Sequence, residues 1–312
     1  MTGEGPPPVP RIDAVALVEA VNRATDAGLR LVGEAGHGEV GAGFVIWPDG
    51  SPGVITRSGA SVEELERTRS VLARAAEAGL PVPVYRLVVD LGDDRAILQA
   101  RLPGAPPAVV TTELVQRMLE LLERTAHLGG GLPAVELYLD SSGPGFCLHE
   151  TLELHGPRTR RLLARVREAG RDDGGAHDEP SDLVHLDLHP GNVLVDAAGE
   201  ITGLVDWDGY GRGDRRLALV TLLFDLTHRG RFAAGSPDLS PAVGLVLAGL
   251  AAAPAGDVRR WWAHMSLRLV DWTIRHAYPA AEVEHYLALA ERGFDRLEGG
   301  SPLRPEDVRR AR

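Results

Sequence analysis

Apolar positions recur at helical spacing between residues 12 and 27, with Val15, Val18 and Val21 on one stripe and Asp13 near its start. The runs that follow, LRLV at 29–32, FVIW at 44–47 and VITR at 54–57, are too short for helices. They are separated by a glycine cluster and by Pro48-Asp49-Gly50, so they predict consecutive strands joined by tight turns. A second helical stripe runs from 61 to 78 through Val62, Leu65, Leu72 and Ala76, and Gly79 and Pro81 stop it. Two more strands are predicted at 84–90 and 95–100. The first hundred residues therefore read as a small sheet with one long helix inserted.

After Leu102-Pro103-Gly104 the texture changes: 111–128 and 158–169 are helical, and from 217 onward nearly the whole chain is. Between these helices lie a polar stretch, 171–182, and three short apolar strands at 183–186, 192–195 and 201–205. The expected division is a flexible tail over 1–10, a first lobe over 11–101 and a helical lobe over 102–312.

Composition removes whole chemistries. The chain of 312 residues has 33 basic side chains, all of them arginine, so Schiff bases, lysine bases and a phosphate-binding lysine are excluded. With 44 acids the formal charge is -11, which argues against a nucleic-acid partner. Cys147 is the only cysteine, leaving no internal disulfide and no cysteine zinc site. No apolar run is long enough to span a membrane, the start is proline-rich, and a cytoplasmic protein is expected.

The short strands carry the chemistry. Residues 185–192 read HLDLHPGN, and fourteen residues after Asn192 comes Asp206-Trp207-Asp208 behind an apolar run. A carboxylate on a loop, an amide five residues on and another carboxylate after a hairpin are the parts needed to orient a hydroxyl and hold Mg²⁺ on a nucleotide. His-x-Asp with Asn five residues after the Asp, then Leu-Val-Asp-Trp-Asp, resembles the aminoglycoside phosphotransferase and choline kinase group. That resemblance implies an α+β, bilobal protein-kinase-like fold with a small antiparallel sheet lobe and a mainly helical second lobe. It also implies roles. Asp187 resembles the catalytic base, and Asn192 and Asp206 the magnesium ligands, with Asp208 as a further candidate. His185 resembles the structural histidine beneath the metal-binding turn, and Asp214 the acid tying the catalytic loop's backbone to the helical lobe. His189 reads as a loop residue.

The first lobe would then bind ATP, with GTP equally open. Gly36, Gly38 and Gly41 fit Gly-x-Gly-x-x-Gly between two predicted strands, where missing side chains let backbone amides approach phosphates. Arg57 stands at the strand end where kinases place their lysine; a guanidinium can grip phosphate through two donors. Its expected partner is Glu64 or Glu66 on the inserted helix. Gln99 and Arg101 fall at the crossing between lobes, where backbone groups bind adenine.

An amine-bearing acceptor calls for acids, and Asp208, Asp225, Asp271 and Glu282 are available, with Trp272 beside Asp271 as a seat for a cation. Arg158 to Arg167 is the one basic run. The expected function is an enzyme that moves the γ-phosphoryl group of ATP to a hydroxyl of a small molecule, an aminoglycoside-like antibiotic or amino alcohol. Two alternatives stand beside it: a kinase of Ser/Thr in a peptide substrate, for which the basic run could serve, and a nucleotide-binding scaffold with little catalysis.

Overall fold

The computed structural model describes residues 11–35, 41–92, 94–171, 180–233 and 237–308. The proposed tail, Gly36 and Gly38 lie outside them. By contacts the chain divides into two compact units, one of Pro7–Pro106 with Val193–Val205 and one of Pro107–Asn192 with Asp206–Arg312.

In the first unit α1 (Ala14–Ala24) starts where the Asp13 carboxylate accepts the Ala16 N–H at 2.9 Å. Strands β1 (Arg30–Glu34), β2 (Gly43–Ile46), β3 (Pro52–Ser58), β4 (Tyr85–Asp90) and β5 (Arg95–Ala100) form one antiparallel sheet in the order β1-β2-β3-β5-β4. The inserted helix α2 (Val62–Glu77) lets the chain pass over the β5 position, so β4 becomes an edge strand. Val18 and Val21 of α1 bury against Val45, Ile55, Ala96 and Leu98, the inward set of the alternating strand pattern.

The second unit holds α3 (Thr112–Glu123), α4 (His149–His155), α5 (Pro157–Arg171) and β6 (Asp182–His185). The chain then leaves this unit for the hairpin of β7 (Val193–Val195) and β8 (Ile201–Leu204), and returns through β9 (Tyr210–Gly213), which pairs with β6. Helices α6 (Leu217–Phe232), α7 (Ser240–Ala251), α8 (Ala255–Arg275), α9 (Ala280–Glu298) and α10 (Pro305–Val308) complete it. Trp262, Phe224 and Phe294 are fully buried at its centre. Trp262 donates its indole N–H to Ala290 O at 3.1 Å, and a Cβ on Gly293 would lie 2.1 Å from its ring, so α8 and α9 approach through a glycine.

The hairpin departs from the expected boundary at 102, which gave it to the helical lobe. Its backbone is tied to the sheet unit, where Ala105 and Val195 exchange hydrogen bonds at 2.9 and 3.1 Å and Leu204 N–H donates to Pro81 O at 2.7 Å. Gly104 makes this contact possible: at φ +92° its α-carbon faces Val195 O, which a Cβ would approach to 2.5 Å. Strand β9 escaped the pattern reading because its sequence, YGRG, has no apolar alternation to read. Among the described residues no helix is long and apolar enough to cross a membrane.

Candidate active site

The segment after β6 turns sharply, and local hydrogen bonds fix the turn. The Asp187 N–H donates to His185 Nδ1 at 3.1 Å, which leaves that ring's proton on Nε2, and the buried His185 ring packs edge-on against Trp207 with centroids 4.6 Å apart. Asn192 sits in a single 3-10 turn, Pro190–Asn192, and its amide donates to Asp187 O at 2.9 Å and to Asp187 Oδ2 at 3.1 Å. Loop and amide are therefore one unit. The antiparallel hairpin between Asn192 and Asp206 brings the chain back, so the two residues flank its open end. Asp206 itself lies at φ +64°, a left-handed conformation that costs energy in a residue with a Cβ and that the surrounding fold has to hold.

Arg268, from α8, reaches this loop with both arms of its guanidinium, giving Nη1 to Leu186 O at 2.8 Å and Nη2 to Asp187 Oδ1 at 3.0 Å. Thr221 of α6 donates to the same Leu186 carbonyl at 3.1 Å. His189 accepts the Gly191 N–H at Nδ1 and points Nε2 at Asp187 Oδ2, 3.4 Å away.

These contacts set the charges. Burial would raise the Asp187 pKa, but the His189 hydrogen bond and the Arg268 charge overcome it and hold the carboxyl well below the usual range. Against burial, which acts to lower it, Asp187 raises the His189 pKa. Burial, with the negative charges of Asp208 and Asp187, pushes the Asp206 carboxyl up to about 6, and burial raises Asp208 too. Here is a pocket with more negative charge than its surroundings compensate. Asn192, Asp206 and Asp208 offer the hard oxygen atoms that could take up a divalent cation. Among the described residues no group of three His, Cys, Asp or Glu side chains comes together to hold a metal ion.

Residues 45–238 match the model of the phosphotransferase enzyme family, APH. The chain belongs to that family. It is a phosphotransferase, as expected, and its α+β fold is protein-kinase-like. The chain is also similar in structure to an amicoumacin kinase in complex with AMP-PNP, Ca²⁺ and Ami, with TM-score 0.63 and 14% identity over 96% of this chain and 98% of that one. A thermostable mutant of aminoglycoside phosphotransferase APH(4)-Ia, in ternary complex with ADP and hygromycin B, matches with TM-score 0.62 and 16% identity over 93% and 99% of the two chains. Aminoglycoside phosphotransferase APH(3'')-Id from Streptomyces rimosus, in complex with ADP and streptomycin, matches with TM-score 0.54 and 19% identity over 82% and 98%. No curated protein sequence matches the chain.

Within this family member several expected partners are rearranged. Asp214 does not tie down the catalytic loop: its carboxylate takes the Arg216 backbone and guanidinium, with Nε at 2.9 Å, while Thr221 and Arg268 hold the Leu186 carbonyl. Arg57 pairs with Asp94 at 3.3 Å. Neither glutamate of α2 is left open for it. Glu64 accepts the Ser61 N–H at 2.7 Å in a capping box, and Glu66 pairs with Arg69 at 3.2 Å. Gly41 has the left-handed φ of +78° that a glycine-rich turn requires. Gln99 lies on β5 opposite Val54, and the Arg101 guanidinium stacks 4.0 Å above the Phe44 ring while the Arg101 backbone N–H donates to Pro52 O.

The expected acceptor acids fare differently from one another. Asp271 is fully buried and saturated by Thr151 at 2.7 Å and Arg275 at 2.7 and 3.0 Å, so it cannot meet a substrate. Trp272 stacks on His276 with centroids 3.7 Å apart, and Trp261 and Trp262 are core. Asp225, paired with Arg229 at 2.6 Å, and Glu282, paired with His228 at 2.7 Å, remain partly exposed; Asp225 is near enough to His189 to raise its pKa. Three arginines of the basic run join helices: Arg158 bridges Glu284 and Glu291, Arg165 meets Asp295 and Glu298, and Arg167 meets Glu153, while Arg160 and Arg161 are exposed. Sequence reasoning missed Arg268 altogether, because nothing local marks one arginine on a helix 81 residues from the aspartate it holds.

Proposed function

We propose that this phosphotransferase moves the γ-phosphoryl group of ATP onto a hydroxyl of a small, amine-bearing molecule of the aminoglycoside or amino-alcohol kind. The observation that carries this reading is the joined loop of Asp187, Asn192 and Arg268 beside the over-charged Asp206 and Asp208. In it, Asp187 is the catalytic residue that meets the acceptor hydroxyl, and Asn192 and Asp206, with Asp208 beside them, would hold Mg²⁺. When bound, the cation would neutralise charge on the nucleotide phosphates.

Asp187 is ionised throughout the physiological range and is a weak base. It therefore orients the hydroxyl by accepting its hydrogen bond and takes the proton late, as the acceptor oxygen bonds to phosphorus. That suits a loose transition state in which little proton transfer is needed early. Arg268 and Asn192 fix the carboxylate's rotation, so the hydroxyl meets one geometry rather than many. His185 positions the loop from beneath through the Asp187 N–H. On the sheet unit, Gly36, Gly38 and Gly41 supply backbone donors and Arg57 the phosphate anchor, its contact with Asp94 giving way to the nucleotide. Asp225 and Glu282 are the acids that would receive acceptor amines, exchanging Arg229 and His228 for the ligand. We place the reaction in the cytoplasm, where ATP is supplied.

The test is ADP formation by the full chain with Mg·ATP and Mg·GTP against aminoglycosides, amino alcohols and short Ser/Thr peptides. Turnover is expected with an amine-bearing hydroxyl compound and Mg·ATP. Turnover on peptides alone would replace the small-molecule reading, and none with any acceptor would favour a scaffold. Arg57→Ala should weaken Mg·ATP binding in calorimetry; unchanged affinity would remove Arg57 from the phosphate site.

A further inference from the structure

Helices α6 and α9 have two working faces. On α6, Asp225 and Arg229 lie one turn apart on the side of the Asp187 loop, with Arg229 Nη2 3.9 Å from the place of a Cβ on Gly191. Gly230 and Arg231 point away from that side by helical period, with Leu226 on the flank between. They line a cavity of about 570 Å³ whose other walls come from α7, α9, α10 and the segment before α7.

The polar groups of this cavity have an unusual balance. His285 is only 7% exposed, and its Nε2 has no hydrogen-bond partner among the described residues. Arg231 likewise has a buried Nε without a partner, and its guanidinium lies over the Phe232 ring rather than against an acid. Arg292 gives its Nε to the Asp307 carbonyl at 2.9 Å; the carboxylates of Asp307 and Glu291 lie near enough to favour its charge, but among the described residues none stands within ion-pair distance of it. The two acids on the rim are engaged: Glu284 belongs to Arg158, and Asp238 accepts the Ser240 N–H at 3.0 Å. Leu226, Leu239 and Val243 make the rest of the wall apolar. Two guanidiniums with no carboxylate at ion-pair distance among the described residues, beside a buried imidazole, cost energy to hold together. An anion is the group that would offset that cost.

We propose that this cavity is a second ligand site, separate from the phosphoryl-transfer site, which binds a small organic anion with its carboxylate or phosphate on Arg231, Arg292 and His285 and its apolar part against Leu226, Leu239 and Val243. The volume suits a molecule of one or two rings. Burial, helped by His228, Arg231 and Arg292, lowers the His285 pKa to about 4, so the ring is neutral and offers one N–H.

Calorimetry on the full chain tests this with phenyl phosphate and benzoate as probes and benzyl alcohol as the neutral isostere. Saturable binding of an anion, none of the alcohol, and persistence of binding in excess Mg·ATP are expected; whichever anion binds tells phosphate from carboxylate ligands. Arg231→Gln and Arg292→Gln should each weaken binding about tenfold or more, the size of a lost charged hydrogen bond. Arg231 holds no ion pair among the described residues, so its variant should melt like the parent. Equal binding of benzyl alcohol, displacement by Mg·ATP, affinity unchanged in both variants, or no binding of either anion would each overturn the site.

Discussion

Asp187 and Asp271 both take an arginine from helix α8, Arg268 at 3.0 Å and Arg275 at 2.7 Å, and each has a further side-chain donor, Asn192 or Thr151. Asp271 is 0% exposed, whereas the Asp187 side chain is 32% exposed and has Asp206 and Asp208 for neighbours. One ion pair is closed within α8 and takes the Thr151 hydroxyl of α4 as its further donor. The other has an open face and surplus like charge beside it. Counting hydrogen bonds does not separate scaffold from site here; what separates them is room for an incoming group and a local charge that the protein alone leaves unbalanced.

The comparison is broken most directly by making the same substitution in both. Asp187→Asn should leave the fold and Mg·ATP affinity in place and lower kcat about 10²–10⁴-fold, the range for removing a positioned proton acceptor. Asp271→Asn should do the reverse. Losing the buried charge leaves Arg275 unpaired in the interior, at a cost of about 3–5 kcal/mol in urea unfolding, while the molecules still folded turn over at the parent rate. Full activity in Asp187→Asn would remove it from catalysis, and a loss of kcat at unchanged stability in Asp271→Asn would make the second pair functional.

The two acids also show what a sequence can and cannot convey. Asp187 was readable because its partners are local: His185, Asn192 and the Asp206 turn fall within about twenty residues, and the hairpin between them has strands of its own. The strands and the long inserted helix were readable for the same reason, since caps and periodicity are local signals. Asp271 looked like a cleft acid because the partner that buries it, Thr151, is 120 residues away. The basic run on α5 was misleading in the same way, the acids of Arg158 and Arg165 being on α9 and that of Arg167 on α4. Glu64 was ambiguous for a different reason. Ser61-x-x-Glu64 is a capping box in sequence as well as in structure, but the expected kinase pairing competed for the same residue.

A second contrast, between histidines, sharpens the first. His264 is buried against Leu137 O at 2.6 Å and burial pushes its pKa down to about 4, while Asp187 pulls that of His189 upward. As pH falls from about 6.5 toward 4, the unfolded chain binds a proton on its His264 that the folded chain refuses, so stability is lost on acidification through that window. The loss should be on the order of 3 kcal/mol for this ring. His285, whose pKa is also lowered to about 4, adds a slope of the same sign. Unfolding curves at several pH values should show the decline in the parent and a shallower one in His264→Gln; the same slope in both would mean the ring titrates normally.

The smallest effect concerns where Glu64 belongs. If it is only a cap, Ser61→Ala and Glu64→Ala should each lower stability by about 1 kcal/mol. Together they should cost less than the sum, because both remove the same reciprocal pair. Mg·ATP affinity should not move in either, since Arg57 pairs with Asp94 while Glu64 is held by Ser61. A tenfold weaker nucleotide affinity in Glu64→Ala but not in Ser61→Ala would show that the carboxylate leaves its cap when phosphate arrives. That outcome would place Glu64 with Arg57 and make the start of α2 resemble Asp187 more than Asp271, an acid whose resting partners are provisional.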